Sequence, residues 1–115
     1  MSIKIYHNPR CSKSRQTLQL LEDKGVQLEI IEYLKTTPSK TELESVLALL
    51  GLSPRELMRK GEGIYKELNL GDASLSHEQL LSAMLENPIL IERPIVLANG
   101  KAAIGRPPES VLDIL

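Results

Sequence analysis

The first third of the chain places a helical segment between two strand-like segments, and this order limits the fold more than any other feature. Residues 3–6 (Ile-Lys-Ile-Tyr) form a short β-type run, and residues 26–33 alternate well enough to form a second strand. Residues 12–24 have helical spacing of their leucines, and Gly25 supplies the stop. Strand, helix and strand predict a βαβ unit with a parallel strand pair and a right-handed crossover.

The middle of the chain predicts three helices from their start signals. Ser39 with Glu42, and Ser76 with Gln79, each have the spacing of a capping box. Residues 53–59 begin with a third box that has proline at the first helical position, and this helix is expected to end at the arginine before a loop at residues 60–63.

The last part of the chain returns to β structure. Residues 94–98 and 101–104 are separated by Asn99-Gly100, which predicts a hairpin with a type I′ turn. Residues 109–115 are expected to form a final short helix.

The element order predicts an α/β fold, a thioredoxin-like small mixed sheet with a helical insertion between strands 2 and 3 at about residues 39–88. A length of 115 residues suits a single domain that spans residues 1–115. With no Trp and no Phe, the core is expected to be aliphatic.

Composition excludes several classes of protein. The formal charge of −1 excludes binding of nucleic acid or an anionic membrane through bulk charge. We find no apolar run long enough for a membrane span, and no apolar stretch typical of a signal peptide before Pro9. The single cysteine excludes an internal disulfide. A soluble cytoplasmic protein is expected.

Cys11 is the principal candidate for chemistry, because it lies at or just before the start of the first helix. Unpaired N–H groups and the helix dipole stabilise a thiolate at such a position, and the thiolate is the nucleophile. The nearby His7, Arg10, Lys13 and Arg15 are expected to lower its pKa further. The alternative is that Cys11 is simply a small buried apolar residue.

Three further arginines adjoin glycine or proline at the ends of elements. Arg59 comes just before Lys60-Gly61, Arg93 precedes a proline, and Arg106 lies between Gly105 and two prolines. A constrained backbone suits a guanidinium that binds an oxyanion, but three solvated surface charges explain the pattern equally well.

Other kinds of site do not fit. The two histidines, His7 and His77, are far apart and no second thiol is present, so no metal site is expected. His77 is expected to be a surface residue. Residues 61–63 lack the third glycine of a dinucleotide fingerprint, and the chain has no phosphate-binding P-loop motif.

Residues 7–15 (His-Asn-Pro-Arg-Cys-Ser-Lys-Ser-Arg) resemble the active-site segment of the glutaredoxin-coupled arsenate reductase family, with its H-x-x-x-C-x-x-x-R pattern. Residues 57–62 with Tyr65, residues 92–96 and residues 104–108 also resemble that family, in the same order. The likeness therefore covers essentially the whole chain. The phosphatase-like arsenate reductases are excluded, because Thr17 stands where they have an arginine.

The resemblance implies a thioredoxin-like fold, a catalytic cysteine with three supporting residues, and three arginines that bind the oxyanion. By position, these are Cys11 with His7, Ser14 and Arg15, and Arg59, Arg93 and Arg106. His7 would help to lower the cysteine pKa, and Ser14 and Arg15 would act by hydrogen bonding and charge. The Arg93–Pro94 bond matches the position at which thioredoxin-like folds usually have a cis proline.

The resemblance also implies the partners. The protein would bind no cofactor, and glutathione would be a co-substrate. Because the chain has one thiol, glutathione and glutaredoxin would resolve a Cys11–As–S-glutathione adduct and release arsenite. A monomer that detoxifies arsenic in the cytoplasm is expected.

Two departures from the best-characterised reductases point to a chromosomal branch of the family: Arg10 replaces a small residue, and the chain ends nine residues after Arg106. One alternative is an Spx-like redox regulator that binds RNA polymerase, although those proteins typically have C-x-x-C where residues 11–14 are C-x-x-S. The other is a monothiol glutathione-dependent thiol transferase, in which the arginines bind glutathione carboxylates.

Overall fold

The computed structural model describes residues 3–115, and the chain forms two compact units. The first comprises the residues up to Thr36 together with Arg93–Leu115, and the second is Thr37–Glu92. The predicted insertion at about residues 39–88 falls within the second unit. The assignment of residues 1–115 to one domain stays a prediction.

The first unit contains four strands and one α-helix: β1 (Ile3–His7), α1 (Ser12–Asp23), β2 (Leu28–Glu32), β3 (Ile95–Ala98) and β4 (Lys101–Ile104). The strands form one sheet in the order β2-β1-β3-β4. β1 and β2 are parallel, whereas β1–β3 and β3–β4 are antiparallel. The mixed α/β fold and the parallel strand pair on either side of α1 are therefore confirmed.

The hairpin between β3 and β4 has the predicted turn. Asn99 and Gly100 both have left-handed backbone angles, with φ of 54° and 72°, as a type I′ turn requires. The final helical segment is a 3₁₀ helix over Pro108–Ile114 rather than an α-helix.

The main buried cluster of the first unit is aliphatic, as predicted, and Tyr6 and Tyr33 are buried as well. Buried side chains from β1, α1, β3 and the final 3₁₀ helix pack together. They are Ile3, Ile5, Leu21, Val96, Ala98, Val111 and Ile114. This cluster holds α1 and the 3₁₀ helix against the sheet, and so fixes the position at which α1 begins.

The second unit is helical, with elements that follow β2 and precede β3 in the chain. Its elements are α2 (Lys40–Leu50), a 3₁₀ turn (Arg55–Leu57), α3 (Gly63–Glu67), α4 (His77–Glu86) and a 3₁₀ turn (Pro88–Leu90). The predicted capping boxes at Ser39 and at Ser76 are formed, and the third, at Ser53, makes both of its hydrogen bonds with Glu56, at 2.9 and 3.4 Å. No helix within residues 3–115 is long and apolar enough to cross a membrane.

The helix predicted for residues 53–59 is wrong beyond its first turn. Backbone groups on both sides of Met58 pair with a distant segment: the N–H of Glu92 donates to the carbonyl of Leu57 at 2.9 Å, and the N–H of Arg59 donates to the carbonyl of Leu90 at 2.7 Å. These bonds replace helical ones. The short helix α3, which begins at the end of the predicted loop, has no strong sequence signal.

Candidate active site

Cys11 is the N-cap residue of α1, as predicted. Its N–H donates to the carbonyl of Asn8 at 3.0 Å, and its own carbonyl accepts the first helical hydrogen bond, from Arg15, at 3.0 Å. The loop after β1 is therefore closed onto the start of the helix. The residue is 9% exposed, which leaves a small part of it accessible to a reagent.

The surroundings of Cys11 favour its thiolate. Burial raises the pKa of the thiol, but the backbone N–H groups of Ser14 and Lys13 lower it. The charges of Arg93 and Arg106 also lower it, and the pKa is below its ordinary value on balance. These surroundings are those of a reactive thiol, and they are not explained if Cys11 is simply a small buried apolar residue.

Arg106 directly contacts the cysteine. Its Nη2 donates to the Sγ of Cys11 at 3.8 Å, and its Nε donates to the carbonyl oxygen of Arg93 at 3.0 Å. The carbonyl of Arg93 therefore helps to hold this guanidinium beside the sulfur. The structure thus brings together Cys11, Arg93 and Arg106, which are up to 95 residues apart in the chain.

Gly105, the residue before Arg106, packs closely against Thr17 and Pro94. A Cβ atom on Gly105 would lie 2.5 Å from Oγ1 of Thr17 and 2.7 Å from Cγ of Pro94, so a larger residue would force these neighbours to shift. The N–H of Gly105 also donates to the carbonyl of Pro94 at 2.9 Å. Sequence reasoning missed the roles of Gly105 and Thr17; a glycine immediately before a candidate ligand was the available signal.

Both arginines precede proline in a cis peptide bond. The Arg93–Pro94 bond is cis, as the resemblance implied, and the Arg106–Pro107 bond is also cis, which the sequence analysis did not anticipate.

His7, Asn8 and Ser14 form a buried network beneath the cysteine loop. Oγ of Ser14 accepts from the N–H of Asn8 at 3.0 Å and lies 2.6 Å from Nδ1 of His7. Burial lowers the pKa of His7, so its ring is neutral near pH 7. In this geometry His7 acts on the loop through Ser14, and its predicted effect on the pKa of Cys11 stays a prediction.

The Arg15 side chain supports the same loop. Its Nη1 donates to the carbonyl of Pro9 at 2.9 Å, across the residues that precede Cys11. Arg10 and Lys13 are exposed, and the N–H of Arg10 donates to Oδ1 of Asn8 at 3.0 Å.

Arg59 lies in the second unit. Its Nη2 pairs with Oε2 of Glu62 at 3.0 Å, and its side chain is only 20% exposed. It is therefore not a fully solvated surface charge. Its role as a third oxyanion ligand stays a prediction.

One group of side chains within residues 3–115 has the spacing of metal ligands: Glu44, His77 and Glu78, all in the second unit. His77 is bound to Glu44, and Lys40 pairs with Glu78 at 2.7 Å. His77 is exposed, as predicted, with 52% of its side chain accessible. Their polar atoms are therefore already paired with one another at the surface, and they lack the closed shell of a structural metal site.

A cysteine at the start of a helix, whose pKa is lowered by backbone N–H groups and by the charges of Arg93 and Arg106, defines a thiol site suited to receive an anion. The chain belongs to the ArsC family, whose sequence profile matches residues 6–114. The resemblance seen in the sequence is therefore confirmed.

Relatives match this chain over nearly its full length. The Escherichia coli K12 protein YfgD, described as uncharacterized, is 60% identical over 98% of this chain and 96% of its own. An arsenate reductase of Haemophilus influenzae is 53% identical over 100% of both chains. The solved structure of an arsenate reductase from Vibrio cholerae has a TM-score of 0.97 and 58% identity, covering 100% of this chain and 98% of that one.

Proposed function

We propose that this chain is an arsenate reductase in which Cys11 is the nucleophile. One observation carries the proposal: the Sγ of Cys11 lies 3.8 Å from Nη2 of Arg106 at a site where the thiol pKa is lowered. Full-length relatives that are named arsenate reductase support the choice of substrate.

Electrostatics explain why this site needs arginines. Arsenate is an anion near neutral pH, so attack by a thiolate brings two negative charges together. The guanidinium groups of Arg93 and Arg106 offset this repulsion and hold the oxyanion against the sulfur. Arg59 would add the third ligand of the set that the resemblance implies.

The chemistry is a two-electron reduction. Cys11 Sγ bonds to arsenic and one arsenate oxygen leaves as water, with a proton from solvent. The sulfur of glutathione replaces a second oxygen in the same way. A second external thiolate then attacks the glutathione sulfur; the As–S electron pair stays on arsenic, a disulfide leaves, and arsenic is reduced from the +5 to the +3 state. Water cleaves the remaining Cys11–As bond and releases arsenite.

The external thiols are part of the proposal because the chain has only one cysteine. Glutathione supplies the first thiol and glutaredoxin the second. The protein needs no bound cofactor for this sequence, and it would work as a monomer in the cytoplasm.

Arsenite production from arsenate, with glutathione and glutaredoxin present, tests the proposal. Wild-type protein should produce arsenite, and Cys11→Ser should produce none, because serine fits the site but is not a nucleophilic thiolate. Wild-type protein that makes no arsenite, although its Cys11 is alkylated rapidly near neutral pH, would contradict the proposal. Turnover of a glutathionylated substrate without arsenate would then favour the thiol transferase, and oxidant-dependent capture of RNA polymerase the regulator.

A further inference from the structure

A cavity of about 260 Å³ lies at the carboxyl ends of β1 and β2 in the first unit. One wall is the loop of residues 7–10, and the other consists of Glu32, Leu34 and Lys35. His7 and Glu32 are partners in the parallel register, so the cavity opens where these two strands end. Ligands of α/β folds commonly bind outside the carboxyl ends of parallel strands.

The lining of this cavity carries charges of both signs. Arg10 and Lys35 are cationic, and Glu32 is anionic, with its Oε1 3.4 Å from Nζ of Lys35. Within residues 3–115 the guanidinium of Arg10 has no hydrogen bond or ion pair. Because burial lowers the pKa of His7, that ring adds no charge near pH 7. The two cations can bind a ligand carboxylate and the Glu32 carboxylate can bind a ligand ammonium, so this lining suits a ligand that carries both groups at one end.

The cavity adjoins the side of β1 that faces β2, whereas Arg93 precedes the strand on the other side of β1. That strand is β3. Arg10 is adjacent to Cys11 in the chain. Because these two residues are neighbours, their Cα atoms are roughly 3.8 Å apart, and a fully extended tripeptide is longer than this, at roughly 10 Å. A tripeptide anchored in the cavity could therefore present a thiol near Cys11.

We propose that this cavity binds the γ-glutamyl end of glutathione, with the carboxylate on Arg10 and Lys35 and the ammonium on Glu32. The inference rests on the proposed function, which uses glutathione as the first external thiol. A volume of about 260 Å³ is below the usual range for a whole drug-sized ligand, so the cavity takes one end of the tripeptide. The cysteine of glutathione then lies outside it, beside the arsenic on Cys11.

Thiol–disulfide exchange without arsenate isolates this binding step. Cys11 Sγ attacks one sulfur of glutathione disulfide, a Cys11–S–S–glutathione bond forms, and one glutathione thiolate leaves and is protonated by water. Bis(2-hydroxyethyl) disulfide undergoes the same exchange but has no charged end. The ratio of the two rate constants therefore reports recognition of the charged end, independently of the thiolate fraction.

The variants are Arg10→Ala and Lys35→Ala, with Lys13→Ala as the matched control. Lys13 is exposed and two residues from Cys11, but it does not line the cavity. Arg10→Ala and Lys35→Ala should each lower the ratio roughly tenfold, the scale of one charge-assisted hydrogen bond. Lys13→Ala should leave the ratio unchanged.

A ratio that Arg10→Ala and Lys35→Ala leave unchanged would overturn the assignment of this cavity. Failure of the proposed function would look different. If the two variants lower the ratio but the wild-type protein makes no arsenite, the glutathione site is supported and the reductase function is contradicted. If the wild-type protein makes arsenite but the variants leave the ratio unaltered, the reductase function is supported and the glutathione site is contradicted.

Discussion

Arg106 and Arg59, which the family pattern groups together, are held in different ways. Arg106 donates its Nε to the carbonyl of Arg93, and its Nη2 lies 3.8 Å from the Cys11 sulfur. The guanidinium of Arg59 instead pairs with the Glu62 carboxylate at 3.0 Å. A backbone oxygen thus holds the first guanidinium beside the sulfur, whereas an acidic side chain holds the second. Arg106 is therefore placed to stabilise a thiolate, whereas binding of an anion by Arg59 would compete with its ion pair to Glu62.

Removal of Arg106 should have the largest effect on activity. For Arg106→Ala we expect kcat/KM for arsenate to fall by about a hundredfold, the scale of a lost oxyanion donor. Steady-state kinetics measure this loss. Arg106→Lys is the matched variant: it keeps the charge but not the planar fork, so it should recover only part of the activity. Full activity in Arg106→Ala would contradict the role assigned to this residue.

Gly105→Ala should disturb the same arginine indirectly. The added Cβ would lie within 2.7 Å of Thr17 and Pro94 atoms, so overpacking should lower the free energy of unfolding by about 1–3 kcal/mol. Urea denaturation measures it, and kcat/KM should fall because Arg106 is displaced. Gly61→Ala is the control, because nothing lies within 4 Å of its Cβ position. Equal stability of the two variants would show that the contact does not constrain the segment.

Ser14→Ala should lower the free energy of unfolding but leave the pKa of Cys11 nearly unchanged. The variant leaves the buried N–H of Asn8 without its acceptor, which costs about 1–3 kcal/mol. The backbone N–H of residue 14 remains, so the Cys11 pKa should stay lowered. Denaturant titration and the pH dependence of alkylation measure the two effects. The control, Ser12→Ala, changes an exposed residue of the first turn; if it destabilises the protein equally, the buried network has no special role.

Glu62→Gln should have the smallest effect on activity, and it tests most directly whether the partner of Arg59 sets it apart from Arg106. It frees the guanidinium of Arg59, whose ion pair is partly exposed and so worth no more than about 1 kcal/mol. If Arg59 binds arsenate, the KM for arsenate should fall by up to about fivefold while kcat is preserved. A KM that rises would instead show that Glu62 positions Arg59 for binding.

Local signals in the sequence predicted most of the fold. The capping boxes at Ser39 and Ser76 and the Asn99-Gly100 turn are decided by residues a few positions apart, and all three formed as expected. The helix predicted over residues 53–59 failed because its carbonyl and N–H groups pair with residues 90 and 92. A periodic pattern contains no information about that distant partner.

In the candidate site, too, features set by neighbouring residues were predictable from the sequence, and features set by distant residues were not. The position of Cys11 at the start of α1 follows from its own neighbours in the chain, and it was predicted from them. The contact between Arg106 and Cys11 joins residues 95 positions apart. The residue pattern alone left Arg106 as either a ligand or a surface charge; only the family resemblance selected it. The packing of Gly105 on Thr17 required the structure.

The pH dependence of Cys11 alkylation by iodoacetamide tests the central claim, that Arg106 stabilises the thiolate. A neutral reagent reports the thiolate fraction without attraction to the arginines. In the wild-type protein the midpoint should lie below the ordinary pKa of a cysteine thiol. Removing a positive charge disfavours the anion, so Arg106→Ala should raise the midpoint, whereas Arg59→Ala should not. Identical midpoints for the wild-type protein and Arg106→Ala would contradict the account.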